Sequence, residues 1–142
     1  YDANQLIADM ENRNFTKLVY QELSYQINGI LFAVNNERGR FCNEQQYADA
    51  VEGHLKKLSI PYEREKVLPP SFEAEREGRN RVDFLIAEKI ILEIKAKRFL
   101  NRSDYYQVKR YTTALDKKLG ILVNFRARSI YPKRILNSSA KE

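Results

Sequence analysis

The chain has 142 residues, 43% of them hydrophobic and 31% charged, which excludes a disordered polymer and fits one domain with a core of its own. Cys42 is the only cysteine, so an internal disulfide and a cysteine-based zinc site are excluded, and no apolar run approaches the about 20 residues of a membrane-spanning helix. The 25 basic residues outnumber the 19 acidic ones for a formal charge of +6, which favours an anionic partner such as nucleic acid.

The sequence opens at Tyr1 without methionine and reads as a trimmed chain or fragment; with no basic leader and cleavage site, a soluble cytoplasmic protein is expected. In chain order, "LVYQELSYQINGILFAV" sets Leu18, Leu23, Ile27, Ile30, Leu31 and Val34 at three- and four-residue steps, which predicts a helix with one apolar face. "NNERGR" breaks it. A second helix is expected from about Glu44 to Leu58, with Tyr47, Ala48, Val51, Leu55 and Leu58 as its stripe. Asn43 is its N-cap, Gln46 completes a capping box, and Pro61 stops it. The period then changes to two. "YEREKVLPP" reads as an edge strand halted by Pro69 and Pro70, and "SFEAEREGRN" as a polar turn region. "RVDFLIAEKIILEIKA" reads as two strands. "RSDYYQVKRYTTALDKK" is a helix with Ser103 as candidate N-cap, "GILVNF" a buried strand, and "IYPKRIL" a strand interrupted by Pro132. "NSSAKE" reads as a frayed tail. The order predicts an α/β (mixed α+β) fold, a central mixed sheet flanked by helices. It is read as one domain over residues 1–142, helical to about residue 60 and sheet-based over about 61–137.

The paired strands carry charges where core is expected. With "AEK" as the turn, Asp83 faces Glu93. One face then collects Val82, Phe84, Ile86, Ile90, Leu92, Ile94 and Ala96; the other collects Arg81, Asp83, Leu85, Ile91, Glu93 and Lys95. A one-residue slip would mix charge into the aliphatic face, so burial fixes this register. Two carboxylates with Cβ atoms about 5 Å apart repel when partly buried, and a divalent cation such as Mg²⁺ removes the repulsion. Lys95, on the same face, is aimed at an anionic substrate or a metal-bound water. The competing reading is a surface hairpin with cross-strand ion pairs, Asp83 to Lys95 or Arg81 to Glu93.

Three further groups gather around this hairpin. Glu44 precedes its helix stripe at helical spacing and is expected to point inward or toward the sheet; the plainer account is a first-turn glutamate aided by the helix dipole. Gln107 and Tyr111, with Asp104, share one face of the following helix; a polar helix edge is the alternative. Lys95, Lys97, Arg98, Arg102, Lys109, Arg110, Arg126 and Arg128 recur, interleaved with Tyr105 and Tyr106, as a candidate nucleic-acid surface or an ordinary solvated face. Of these, Lys97, Arg98, Arg102, Tyr105 and Lys109 are the chosen contacts. His54 and Cys42 read as packing or surface residues.

Aspartate on one strand and Glu-x-Lys on the next, D-x9-ExK, resembles the PD-(D/E)XK nuclease superfamily, with Val82-Asp83 in the place of its Pro-Asp. "QVKRY" is similar to the Gln-x-x-x-Tyr element of the RecB-like branch. From about Leu18 to Leu136 the chain is similar to the GxxExxY proteins, small bacterial proteins grouped with these nucleases. "ERGRFCNEQQY" carries Glu44 and Tyr47 of that motif, but Phe41 stands where the family has glycine, with Gly39 two residues earlier. The resemblance implies a restriction-endonuclease-like core with helices on both faces of the sheet. It also implies Mg²⁺ or Mn²⁺ held by Asp83, Glu93, the Ile94 carbonyl and Glu44. Lys95 would orient or deprotonate water, and Gln107 and Tyr111 would support the cluster.

The expectation is therefore a metal-dependent nuclease acting on DNA or RNA. The alternatives are a catalytically inactive nuclease-fold module binding nucleic acid or protein, and an oligomerisation or partner-binding protein, including a homodimer, that uses the apolar N-terminal helix.

Overall fold

The computed structural model describes residues 3–5 and 19–141. Leu18, expected on the first helix stripe, lies outside them. Helix α1 spans Gln21–Arg38 and α2 spans Glu44–Lys57. Strands β1 (Tyr62–Val67), β2 (Arg81–Ile86) and β3 (Ile90–Lys95) come next, then α3 (Arg102–Leu115), β4 (Leu119–Asn124) and β5 (Lys133–Leu136). The strands form one five-stranded sheet in chain order, antiparallel except for the parallel pair β3–β4, whose crossover is α3. The mixed α/β architecture expected from the element order is the one found.

Three layers result. Ile27, Ile30, Leu31 and Val34 of α1 and Tyr47, Val51 and Leu55 of α2 pack on Phe84, Ile86, Ile90, Leu92, Ile94, Ile121 and Val123. The apolar stripe of α1 is thus spent on the sheet, leaving Tyr25 and Phe32 outward. On the opposite face Tyr111 packs with Leu85 and Ile91, and Val108 with Leu122 and Ile135. β4, covered on both faces, is buried along its whole length.

Several local expectations need correction. Strict alternation places Val82 on the aliphatic face with Phe84, but it packs with Leu68, Leu85, Ile91 and Tyr111 on the other. The cause is an interruption: β1 and β2 pair at Arg64–Phe84 and Lys66–Val82, but not at Glu65–Asp83, and Glu65 sits at φ 54°. The left-handed residue distorts β1 locally at the point where β2 departs from alternation. Leu58 is the C-cap of α2 and is 54% exposed, not part of its stripe. Helix α3 is capped by Asn101 and not Ser103: Asn101 Oδ1 accepts from the Asp104 N–H, and Asp104 accepts from the Asn101 N–H. Of the tail, the described residues 137–141 are tied down rather than frayed, because buried Asn137 donates to the carbonyls of Thr112 and Lys117 and the Lys141 N–H donates to Asp116.

Helix α3 approaches the sheet over Gly120. A Cβ there would lie 2.5 Å from Val108 Cγ1 and 3.2 Å from Thr112 Cγ2. Gly120→Ala is therefore expected to lower stability by about 1–3 kcal/mol through overpacking, read as a lower urea midpoint at unchanged slope.

Candidate active site

The register predicted for the hairpin holds: Phe84 pairs with Leu92, Leu85 with Ile91 and Ile86 with Ile90. Ala87 and Glu88 take positive φ in the turn, and the Lys89 N–H closes it on the Ile86 carbonyl. Extending the register sets Asp83 opposite Glu93, where side chains replace the ladder. The Asp83 N–H donates to Glu93 Oε1 at 2.8 Å, and the Ile94 N–H donates to Asp83 Oδ2 at 2.7 Å. Each carboxylate thus bridges to the opposite strand, and the second oxygen of each takes no hydrogen bond from the described residues.

Glu93 is buried and Asp83 partly so. Burial, followed by the Asp83 charge, pushes the Glu93 carboxyl up to about 8. Asp83 is also raised, chiefly by burial and further by the charges of Glu44 and Glu65, against the opposing Ile94 N–H and Lys95. Burial and the Glu93 charge raise Tyr111 as well, so its hydroxyl faces the pair as a neutral group. No ion pair among the described residues joins Asp83 to Lys95 or Arg81 to Glu93. Arg81 instead donates to the Gly78 carbonyl. The hairpin is not a salt-bridged surface element.

Lys95 Nζ donates to Gln107 Oε1 at 3.0 Å, which fixes the ammonium between β3 and α3. Glu44 remains exposed, yet Oε2 lies 3.4 Å from the Ala96 N–H, just past the end of β3. It reaches toward the sheet as expected, but it does so from the surface and not from inside the core. Tyr47 sets that placement. Its buried ring stacks on Phe125 at 4.3 Å, and its hydroxyl donates to the Gly39 carbonyl and accepts from the Cys42 N–H. Gly39 ends α1 at φ 70° and ψ −153°, backbone that only glycine adopts easily. The glycine at position 39 serves the turn, and Phe41 stands 78% exposed between Arg40 and Arg126.

The candidate nucleic-acid contacts divide. Lys97 pairs with Asp104 at 2.9 Å, and Lys109 donates to the Leu136 carbonyl, so both are engaged within the fold. Arg98 and Arg102 are exposed, and Tyr105 is half-buried against α3's own core contacts. Two residues near the cluster are not anticipated by the sequence pattern. Glu65 lies opposite Asp83 by register, and Asn124, the partner of Lys95 on β4, clamps the chain through both the N–H and carbonyl of Lys97.

Residues 21–135 match the family described as the PD-(D/E)XK nuclease superfamily, and the chain belongs to it. Comparison with the curated proteins and with the solved structures finds no match. Nucleases of this superfamily generally use divalent metal ions. Among the described residues no three His, Cys, Asp or Glu side chains converge as a complete ligand cage. The donor chemistry of the Asp83–Glu93 pair nevertheless fits a hard cation, offering two carboxylate oxygens without a hydrogen bond from the described residues, where burial disfavours uncompensated negative charge.

In a chelator, Glu93 keeps its proton to about pH 8 when folded but loses it near 4.5 when unfolded. The stability it contributes is present below 4.5 and is lost as pH rises toward about 8. Denaturant titrations across that range should show falling stability. Glu93→Gln, which keeps the acceptor for the Asp83 N–H, should flatten the decline.

Proposed function

We propose that this chain is a metal-dependent nuclease that hydrolyses phosphodiester bonds in DNA or RNA, and that within its superfamily it stands with the GxxExxY proteins and the RecB-like branch. The observation carrying the reading is the Asp83–Glu93 pair, Glu93 buried and Asp83 partly so, cross-bonded to the opposite backbones beside Lys95 and in no ion pair among the described residues. The finer kinship is supported by Glu44 and Tyr47 at Glu-x-x-Tyr spacing, and by Gln107 and Tyr111 flanking the pair.

In this reading Asp83 and Glu93 would hold Mg²⁺ or Mn²⁺, with the Ile94 carbonyl and Glu44 as the further oxygens that could serve it. The bound cation supplies a positive charge that acidifies water and neutralises charge on the phosphate. Lys95, steadied by Gln107, orients the attacking water and faces the developing phosphate charge. Tyr111, buried on α3 and acted on by the charges of Glu93 and Asp83, would support the cluster. A second reading, a nuclease-fold module without turnover, draws on the oxygen that each carboxylate already commits to a backbone N–H.

Cleavage of single- and double-stranded DNA and RNA, with and without Mg²⁺ or Mn²⁺, separates the two. Asp83→Ala, Glu93→Ala and Lys95→Ala are each expected to lower metal-dependent cleavage by about 100-fold or more, with unchanged circular dichroism. Full activity in any of the three removes the mechanism. A wild-type chain that takes up Mn²⁺ in calorimetry yet cleaves none of the four substrates is the module.

A further inference from the structure

A pocket of about 470 Å³ opens at the start of α3, lined by Leu100, Asn101, Arg102, Tyr105, Tyr106, Leu122 and Lys133. Its size falls within the about 300–1,000 Å³ usual for small-ligand sites. Its position is set by the sheet. Glu93 pairs with Leu122, and Leu122 with Lys133, so the three lie in one row on one face. Two strand spacings put Lys133 about 10 Å from Glu93.

The lining has a distinct chemistry. Tyr106 is 56% exposed and meets Tyr105 edge to face at 5.7 Å. Lys133 Nζ is held 5.0 Å above the Tyr105 ring, and neither Lys133 nor Arg102 forms an ion pair among the described residues. The nearby acid, Asp104, is buried against Lys97. The pocket is thus aromatic at its wall and cationic at its rim. A planar base fits the first and a phosphate the second. In a duplex each base is covered by its neighbours, so only an unpaired nucleotide can present its face to Tyr106.

We propose that this pocket stacks an unpaired base of a single-stranded nucleic acid whose backbone runs around the start of α3 into the acid cluster. As a statement about substrate class it rests on the nuclease reading. The flanking base lies on Tyr106, and Lys133 and Arg102 take the adjoining phosphates.

The test is fluorescence anisotropy of the full chain in EDTA, where no cleavage occurs. The probes are labelled oligo(dT) and oligo(U) of about ten nucleotides and a blunt DNA hairpin of similar charge. Wild type is expected to bind at least one of the two single strands about tenfold more tightly than the hairpin; which one it prefers distinguishes DNA from RNA. Tyr106→Ala should weaken single-strand binding by about tenfold while Tyr106→Phe retains it. Lys133→Gln should reduce the salt slope by about 1. Equal affinity for strand and hairpin, or a Tyr106→Ala chain that binds as wild type does, overturns the proposal. The two readings fail separately. Single-strand binding that depends on Tyr106, without cleavage when Mg²⁺ or Mn²⁺ is added, removes the nuclease and keeps the pocket. Metal-dependent cleavage with no preference for single strands in EDTA does the reverse.

Discussion

The site depends on an exchange made where the β2–β3 ladder would otherwise continue. Asp83 and Glu93 each reach across to a backbone N–H of the other strand, so side chains substitute for main-chain pairing over one step. The exchange fixes both carboxylates in a place where solvation is poor and raises the proton affinity of each, and where the Asp83 charge raises Glu93 further. The surrounding aliphatic sheet makes it rigid. Phe84, Leu92 and Ile94 are buried on one side, and Leu85 and Ile91 on the other, so neither strand can slip to relieve the repulsion. Only a proton or a cation relieves it.

The rest of the fold aligns groups to that pair. α3 is drawn onto the sheet at Gly120, and this close approach lets Gln107 reach Lys95 and sets Tyr111 over the carboxylates. From the other face, the Tyr47–Phe125 stack anchors the start of α2, which carries Glu44 around the end of β3. Two layers that share no core thus bring side chains toward the same end of the parallel pair β3–β4. In open sheets with parallel strands, that is where ligands are usually received.

How far a residue pattern discloses the structure depends on how local the governing interaction is. The hairpin register is readable because a three-residue turn and period-two hydrophobicity act over adjacent residues. The capping box at Asn43 is readable for the same reason. At α3, two cap residues stand two apart, and only the reciprocal bond with Asp104 selects Asn101 over Ser103. Glu65 is not legible, because the long stretch from Leu68 to Asn80 joins β1 to β2 without fixing how they pair. The displacement of Val82 falls at that same interruption of the pairing. Lys97 and Lys109 look like phosphate contacts in a basic stretch, but the fold uses one for Asp104 and the other for a strand carbonyl. Composition counts charges without saying which are already engaged.

Extending the register from β2 to β5 puts Asp83, Glu93, Leu122 and Lys133 in a transverse row, and Glu65 stands at the gap in the β1–β2 pairing beside Asp83. The row is acidic on β2 and β3, apolar on β4 and cationic on β5. A polyanion drawn to a chain of net charge +6 meets repulsion at the acidic end and attraction at the other. Under the proposed nuclease reading, a divalent cation would offset most of the negative charge at the acidic end. Such a row would then hold the polyanion by its cationic end and repel it less at the other. Metal dependence of productive binding would then come from the order of charges along the sheet, before any bond is broken.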